Sequence, residues 1–251
     1  INNIMPDPLT ESSMKKITES FSSGDTERVR EERSRAEVSA FIDALESREQ
    51  PITKENINAT YELISAYMRF MLKHIPLDSD NRAEFNNRSA KAIQVFERLE
   101  GHKNQKLYIS TFKAIKGSFH LRVAHNAVQL GEQNHNFKTD TAMHRTVGKH
   151  ILMATQNYNE SLEANPNNDQ AKSGLQRLEK LKNKMGNFIA NDITDPLEAI
   201  LKEDRPDMPH EARTALWTRA AEMAAQMSSY VQEHFERRNE AAGFVVRPLH
   251  S

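Results

Sequence analysis

Cysteine is absent from the 251 residues of this chain. Without thiols the chain forms no disulfide, carries no thiolate nucleophile, and supplies no ligand for a zinc–thiolate site or an iron–sulfur cluster. A chain without disulfides suits a reducing compartment, and it also suits export through a machine that requires an unfolded substrate. We therefore expect a cytoplasmic location, with export by a specialised secretion system as the alternative.

The sequence also lacks a charge excess and a long apolar run. Lys and Arg number 34 against 35 Asp and Glu, so bulk electrostatics give no reason to expect nucleic acid or an anionic membrane as a partner. No apolar run reaches the roughly 20 residues that a membrane helix needs, and no signal-peptide core is present. We expect no nucleic-acid partner and no integral membrane segment. Because the first residue is Ile1, we expect a fragment or a processed chain.

Glycine and proline are sparse, with 8 and 9 residues, and few segments alternate β-branched with polar residues. Both features favour helices nearly throughout. The only strand-like run is the tail from Gly243 to Ser251. The sequence therefore predicts an all-α protein built from stacked antiparallel helical hairpins, with no significant β-sheet.

Composition along the chain predicts three regions. Residues 1–30 form a polar leader, which is either mobile or one amphipathic docking helix capped by Thr10. Residues 31–190 form the helical-hairpin domain, and residues 191–251 supply C-terminal helices and a tail that pack on the same domain. Within the hairpin domain, Gly101 stands where a helix C-terminal cap is expected, and Gly117 marks a kink, a break or a close helix–helix contact.

The best-defined stretch runs from Met143 to Met185. Its first half repeats apolar or small residues with the spacing of one helix face, at Met143, Val147, Ile151, Ala154, Tyr158 and Leu162. The segment 165–168 ends that helix, because Pro166 has no amide proton and asparagine tolerates turn geometry. A second stripe follows at Ala171, Leu175, Leu178, Leu181 and Met185. Two amphipathic helices joined by a short turn make a helical hairpin, and a linker is expected after Met185.

This hairpin resembles one tetratricopeptide repeat joined to the start of the next. The family's second helix carries a small residue, an aromatic residue, another small residue and a proline after the turn, here Ala154, Tyr158, Ser161 and Pro166. The following helix opens with the small residues Ala171 and Gly174, as the family prefers. The preceding helix departs from the pattern, since Arg145 stands where an aromatic residue is expected. The match covers about one repeat of the usual period of about 34 residues.

The resemblance implies a stack of hairpins with a groove for a peptide or a partner helix. Groove-facing positions on the first helices of successive repeats would be Thr139, Met143, Ser173, Arg177 and Lys180. The arginine and the lysine would favour an acidic or carboxylate-bearing partner. The leading hypothesis is therefore a protein-interaction module without catalysis, which binds another protein or peptide and requires no metal and no cofactor.

A helical enzyme is the second hypothesis, because histidine is the abundant residue type with acid–base chemistry. Its candidates are His120, His125, His144 and His150. Within each predicted helix these histidines diverge, since neither pair has the three- or four-residue spacing that shares a helix face. No phosphate loop, serine-hydrolase elbow or dinucleotide fingerprint accompanies them. An enzyme predicts a closed pocket of His and Glu side chains, whereas a binding module predicts an open surface.

A secreted bacterial effector that acts on a host protein is the third hypothesis, and it follows from the absent cysteine and the Ser-rich leader. Trp217, the only tryptophan, lies one residue off the apolar stripe of the last predicted helix, residues 209–238. We expect this side chain to pack against neighbours, because an exposed tryptophan would instead indicate an interface.

Overall fold

The computed structural model describes residues 9–22, 28–134, 141–189, 199 and 202–225. Within these residues the regular elements are α-helices and no strand occurs, so the predicted all-α fold is confirmed. Eight helices are described, with the following bounds: α1 Glu11–Ser22, α2 Arg28–Glu46, α3 Ile57–His74, α4 Ser79–Glu97, α5 Gln105–Gln133, α6 Thr141–Ala164, α7 Asp169–Ile189 and α8 His210–Ala225.

Several helix ends follow directly from capping side chains. Thr10 Oγ1 accepts a hydrogen bond from the amide of Ser13 at 3.2 Å, so the predicted cap of α1 is confirmed. Side chains also define the turn before α3, which begins at Ile57. The Thr53 hydroxyl accepts the amide of Asn56 at 3.2 Å, and the Asn56 side chain accepts the amide of Thr53 at 2.7 Å. This reciprocal pair closes the turn just before the helix.

The predicted hairpin of α6 and α7 is present, with a break between Ala164 and Asp169. Its second helix continues to Ile189, so the prediction that a linker begins directly after Met185 is wrong. Gly101 was expected to be the C-terminal cap of α4, and this prediction is wrong, because the helix ends at Glu97 and Arg98 is its C-cap. Gly101 has a φ of +79° in the turn beyond the cap, where the amide of His102 donates to the carbonyl of Leu99 at 3.1 Å. The predicted last helix is described as His210–Ala225, and the rest of its predicted span, like the strand-like tail, lies outside the described residues.

The chain divides into two compact units, and the division passes through α5, α6 and α7. Unit 1 takes residues 1–119 and 157–172, and unit 2 takes residues 120–156 and 173–251. Unit 1 therefore holds α1 to α4, the first half of α5, the end of α6, the turn after it and the start of α7. Unit 2 holds the second half of α5, the first part of α6, most of α7, and α8.

In unit 1, helices two apart in the chain run parallel to each other, as α1 does to α3. The residues that contact each other differ in number by a nearly constant offset. The offset is 46 residues from α1 to α3, 49 from α2 to α4, 50 from α3 to α5 and 52 from α5 to α7. The side-chain contacts that define it join Met14 to Thr60, Ser39 to Arg88, Asn58 to Tyr108, and Ser118 to Gln170. These offsets are longer than the period of about 34 residues of a tetratricopeptide repeat.

Aromatic side chains fill the interior of unit 1 where α4 and α5 run antiparallel. Phe85 stacks on Phe119 with ring centroids 3.9 Å apart, and Phe96 meets Phe112 edge to face at 5.0 Å. All four rings are buried. Burying one such side chain contributes about 1.5–3 kcal/mol relative to leaving it in water, so each of the four rings stabilises unit 1 by an amount of this order.

In unit 1, α5 and α6 approach each other closely. The hydroxyls of Ser110 and Ser161 each donate to the other residue's backbone carbonyl, at 2.8 and 2.7 Å. Gly117 faces the ring of Tyr158, and a Cβ at this glycine would lie 2.8 Å from two ring carbons. Of the three readings of Gly117 from the sequence, the close helix–helix contact is confirmed, because α5 continues through it as one helix.

Candidate functional site

The solvent-facing side of α7 in unit 2 carries a line of polar and basic residues. Ser173, Arg177, Lys180 and Lys184 are all exposed, and their spacing of four, three and four residues places them on one helix face. The opposite face buries Leu178, Leu181 and Met185. We call the line Ser173, Arg177, Lys180 and Lys184 the α7 stripe. Because α7 is amphipathic, burial of its apolar face leaves the α7 stripe facing solvent.

Two cations of the α7 stripe have no acidic neighbour among the described residues. Lys184 Nζ lies 2.6 Å from Glu132 Oε1 of α5. No carboxylate on a described residue comes within 4.0 Å of Arg177 or Lys180. Both side chains are exposed and therefore open to a ligand that carries carboxylates.

His125 of α5 borders the same stripe. Partial burial is the largest cause that lowers the pKa of its imidazole, and the positive charges of Arg177 and Lys184 lower it further. The neutral imidazole is thus favoured beside the two cations. From the sequence alone, His125 is a possible catalytic residue and is not connected with Arg177, because the electrostatic effect of Arg177 on the imidazole depends on how α5 and α7 align.

Three of the five predicted groove residues lie on one helix face. Ser173, Arg177 and Lys180 share the exposed side of α7. Met143 is half-buried on α6 of the same unit, so it is not part of the α7 stripe. Thr139 lies outside the described residues. The structure thus brings together three of the five predicted positions, and it adds Lys184 and His125.

A buried histidine pair forms where α5 and α6 cross in unit 2. The Nδ1 atoms of His120 and His150 are 2.9 Å apart, and the two residues are 0% and 8% exposed. One ring must carry the proton of this hydrogen bond while the other accepts it. No local pattern predicts this hydrogen bond, because the two residues are 30 positions apart and lie on different helices.

The four histidines of the enzyme hypothesis occupy two different environments. His144 is also buried, at 2% exposed, whereas His125 is on the surface. Among the described residues, no group of three His, Asp or Glu side chains is arranged to hold a metal ion. Because His120 and His150 bind each other inside the helix crossing, their contact is that of an internal polar pair and not of a pair facing a cleft.

Over residues 210–220 of α8, most side chains are exposed to solvent. Leu216 and Ala220 are buried, whereas Trp217 is 50% exposed, so the expectation that it packs against neighbours is wrong. Its neighbour Arg213 donates two hydrogen bonds to Asp204, at 2.7 and 3.0 Å, which lowers the pKa of that carboxyl. A shallow depression is lined by His210, Arg213, Thr214, Trp217 and Thr218.

No protein-family model, no curated protein and no solved structure matches the chain. The likeness of α6 and α7 to a tetratricopeptide repeat therefore stays a prediction. Among the residues that the structure describes, no helix combines the length and the apolar character that crossing a bilayer requires.

Proposed function

We propose that this protein is a non-catalytic interaction module that binds an acidic peptide segment of another protein along the α7 stripe. The observation that supports this proposal is the exposure of Arg177 and Lys180 without a carboxylate neighbour on any described residue. In a chain with 34 basic and 35 acidic residues, an unneutralised pair of cations on one helix face is a local feature that bulk charge does not explain.

The chemistry of the stripe favours carboxylates over other polar groups. Arginine offers a planar fork of N–H donors that matches a carboxylate, and lysine adds a second charge one turn further along. Each exposed ion pair contributes only about 0–1 kcal/mol. Binding is therefore expected to be weak and strongly reduced by salt, since exposed charges are screened over about 8 Å at physiological ionic strength.

The tetratricopeptide resemblance supports the same function independently of charge. Stacked helical hairpins bury one face of each helix against neighbours and leave the other for partners. In unit 1 alternate helices run parallel, and α7 buries one face and exposes the stripe on the other. A cytoplasmic location, or export before the partner is met, remains a prediction from the sequence.

The test is binding of a fluorescently labelled octaglutamate peptide, followed by fluorescence anisotropy at low salt. The double variant Arg177→Glu, Lys180→Glu should bind at least about tenfold more weakly, because two attractive pairs become repulsive. The matched control is Lys103→Glu, Lys106→Glu, which makes the same change in net charge at two exposed lysines of unit 1. This control should keep the affinity within about twofold.

Two results would remove the proposal. One is equal binding by the wild type and the α7 double variant. The other is an equal loss in both double variants, which would mean that the peptide responds to net charge alone. Circular dichroism of each variant confirms that any loss is not a loss of helix.

A further inference from the structure

His125 lies on α5 at the position that faces Arg177 on α7. In unit 2 the two helices are aligned by the ion pair of Glu132 with Lys184, at 2.6 Å. His125 precedes Glu132 by two helical turns, and Arg177 precedes Lys184 by the same interval. In unit 1 the hydrogen bond of Ser118 with Gln170, at 3.2 Å, has the same sequence offset of 52. The alignment of the two helices therefore places the imidazole beside the guanidinium.

We propose that His125 is a further member of the acidic-partner site and takes up a proton when a partner carboxylate binds beside Arg177, so that binding strengthens as the pH falls. This inference rests on the proposed function, because it concerns the same α7 stripe. It adds a residue from a second helix and a regulation by pH that the stripe alone does not have.

The charges around His125 determine the direction of the effect. Among the described residues, the charged groups that act on its imidazole are Arg177 and Lys184, both on α7. Lys184 is paired with Glu132, and Arg122 lies on α5 one turn before His125. No charged group of α6 on a described residue acts on the ring. In the free protein, partial burial and the two cations oppose protonation, and both lower the pKa of His125 from its ordinary value of about 6.5.

A bound carboxylate reverses the balance of charge at this point. Its negative charge neutralises Arg177 and stabilises an imidazolium, so the pKa of His125 is higher in the complex than in the free protein. The proton comes from solvent, and the imidazole gains it without any covalent change. Glutamate side chains of the partner stay ionised above about pH 5, because their ordinary pKa is about 4.3. By linkage, affinity must increase as the pH falls through the range in which only the complex holds the extra proton.

The experiment measures octaglutamate affinity at pH 7.5, 6.5 and 5.5 by anisotropy, together with calorimetry at pH 6.5 in two buffers of different ionisation enthalpy. The wild type should bind about three- to tenfold more tightly at pH 5.5 than at pH 7.5, since one unit of pKa change corresponds to tenfold in affinity. His125→Gln preserves a polar side chain but cannot titrate, and it should lose most of this increase. Calorimetry should show proton uptake by the wild type and much less by His125→Gln.

His210→Gln is the matched control, because it removes an exposed histidine of α8 that the site does not use. It should keep the wild-type pH dependence. An identical pH dependence and identical proton uptake in the wild type and His125→Gln would overturn this inference. That result leaves the proposed function standing if the Arg177→Glu, Lys180→Glu variant still binds weakly. If charge reversal has no effect, both fail.

Discussion

Two basic surfaces of this molecule differ in how their charges are neutralised. In unit 1, α2 and α4 are joined by ion pairs in which each cation meets a carboxylate of the facing helix. We call this the α2–α4 seam, and its pairs are Arg35 with Glu84, Arg88 and Lys91 with Asp43, and Arg98 with Glu46. On the α7 stripe of unit 2, Arg177 and Lys180 have no such carboxylate among the described residues.

The cations of the α2–α4 seam stabilise the fold, whereas Arg177 and Lys180 of the α7 stripe remain open to a partner. The cations of the seam are only about one-fifth to one-third exposed, and they fix the register of two helices. Arg177 and Lys180 of the α7 stripe are exposed and have no ion pair among the described residues, so removing these two charges changes little inside the protein. Stability measurements should therefore respond to the seam and to the interior of unit 1, whereas binding measurements should respond to the stripe.

The largest expected effect on stability comes from Glu84, the centre of the seam. Its carboxylate accepts from Arg35 Nε at 3.1 Å and from the Tyr67 hydroxyl at 2.8 Å. Glu84→Leu leaves both donors without this acceptor, and we expect a loss of about 2–3 kcal/mol in the free energy of unfolding. Urea denaturation measures it. A loss below about 0.5 kcal/mol would show that the seam is no more structural than the stripe.

Substitution of Gly117 tests the packing inside unit 1 and involves no charged residue. A methyl group there would overlap the ring of Tyr158, which is fully buried and donates to Ser118 at 3.0 Å. Overpacking costs about 1–3 kcal/mol, and alanine regains about 1 kcal/mol of helix propensity. Gly117→Ala should therefore lower stability by up to about 2 kcal/mol. Stabilisation by this substitution would contradict the packing of α5 on α6.

Tyr67 should make the seam sensitive to alkaline pH. Burial is the main cause that raises the pKa of its hydroxyl, and the neighbouring Glu84 carboxylate adds to it. Because the folded-state pKa is the higher one, this contribution is complete below pH 10 and is lost as the pH rises further. By pH 11 the loss should be about 1.4 kcal/mol. Tyr67→Phe removes it, so the difference in urea midpoint between the two proteins should shrink from pH 9 to pH 11.

The smallest effect is expected from neutralising the α7 stripe. Arg177→Gln with Lys180→Gln should change the free energy of unfolding by less than about 0.5 kcal/mol, because surface substitutions without internal partners usually do. The same variant should lose affinity for octaglutamate. A loss of stability comparable to that of Glu84→Leu would show that the two cations have partners inside the protein, and the contrast between the two surfaces would disappear.

Helix content and local caps could be predicted from the sequence, because both depend on neighbours within a few residues. The apolar spacing of Val147, Ile151 and Ala154 predicted a buried face of α6, and all three are buried. Thr10 was predicted as the cap of α1 from its position alone, and it accepts the amide of Ser13, whereas Gly101 lies beyond the C-cap of α4. For Trp217 the same reasoning failed, because a residue beside an apolar stripe can lie on the covered or the open side.

Contacts between helices could not be predicted, because they depend on register. The pair of His120 and His150 requires α5 and α6 to run antiparallel at one particular alignment. The place of His125 beside Arg177 requires α5 and α7 to run parallel at an offset of 52. Nothing local in the sequence specifies either alignment, so the stripe was predicted without the histidine that borders it.

The most direct measurement is a nuclear magnetic resonance titration of the isotope-labelled protein with octaglutamate at low salt. If the α7 stripe binds the peptide, we expect the amide signals of Ser173 to Lys184 and the ring signals of His125 to shift until they saturate. The amide signals of Arg35, Arg88 and Lys91 should not shift. Shifts concentrated on the α2–α4 seam, or spread evenly over basic residues of both units, would contradict it.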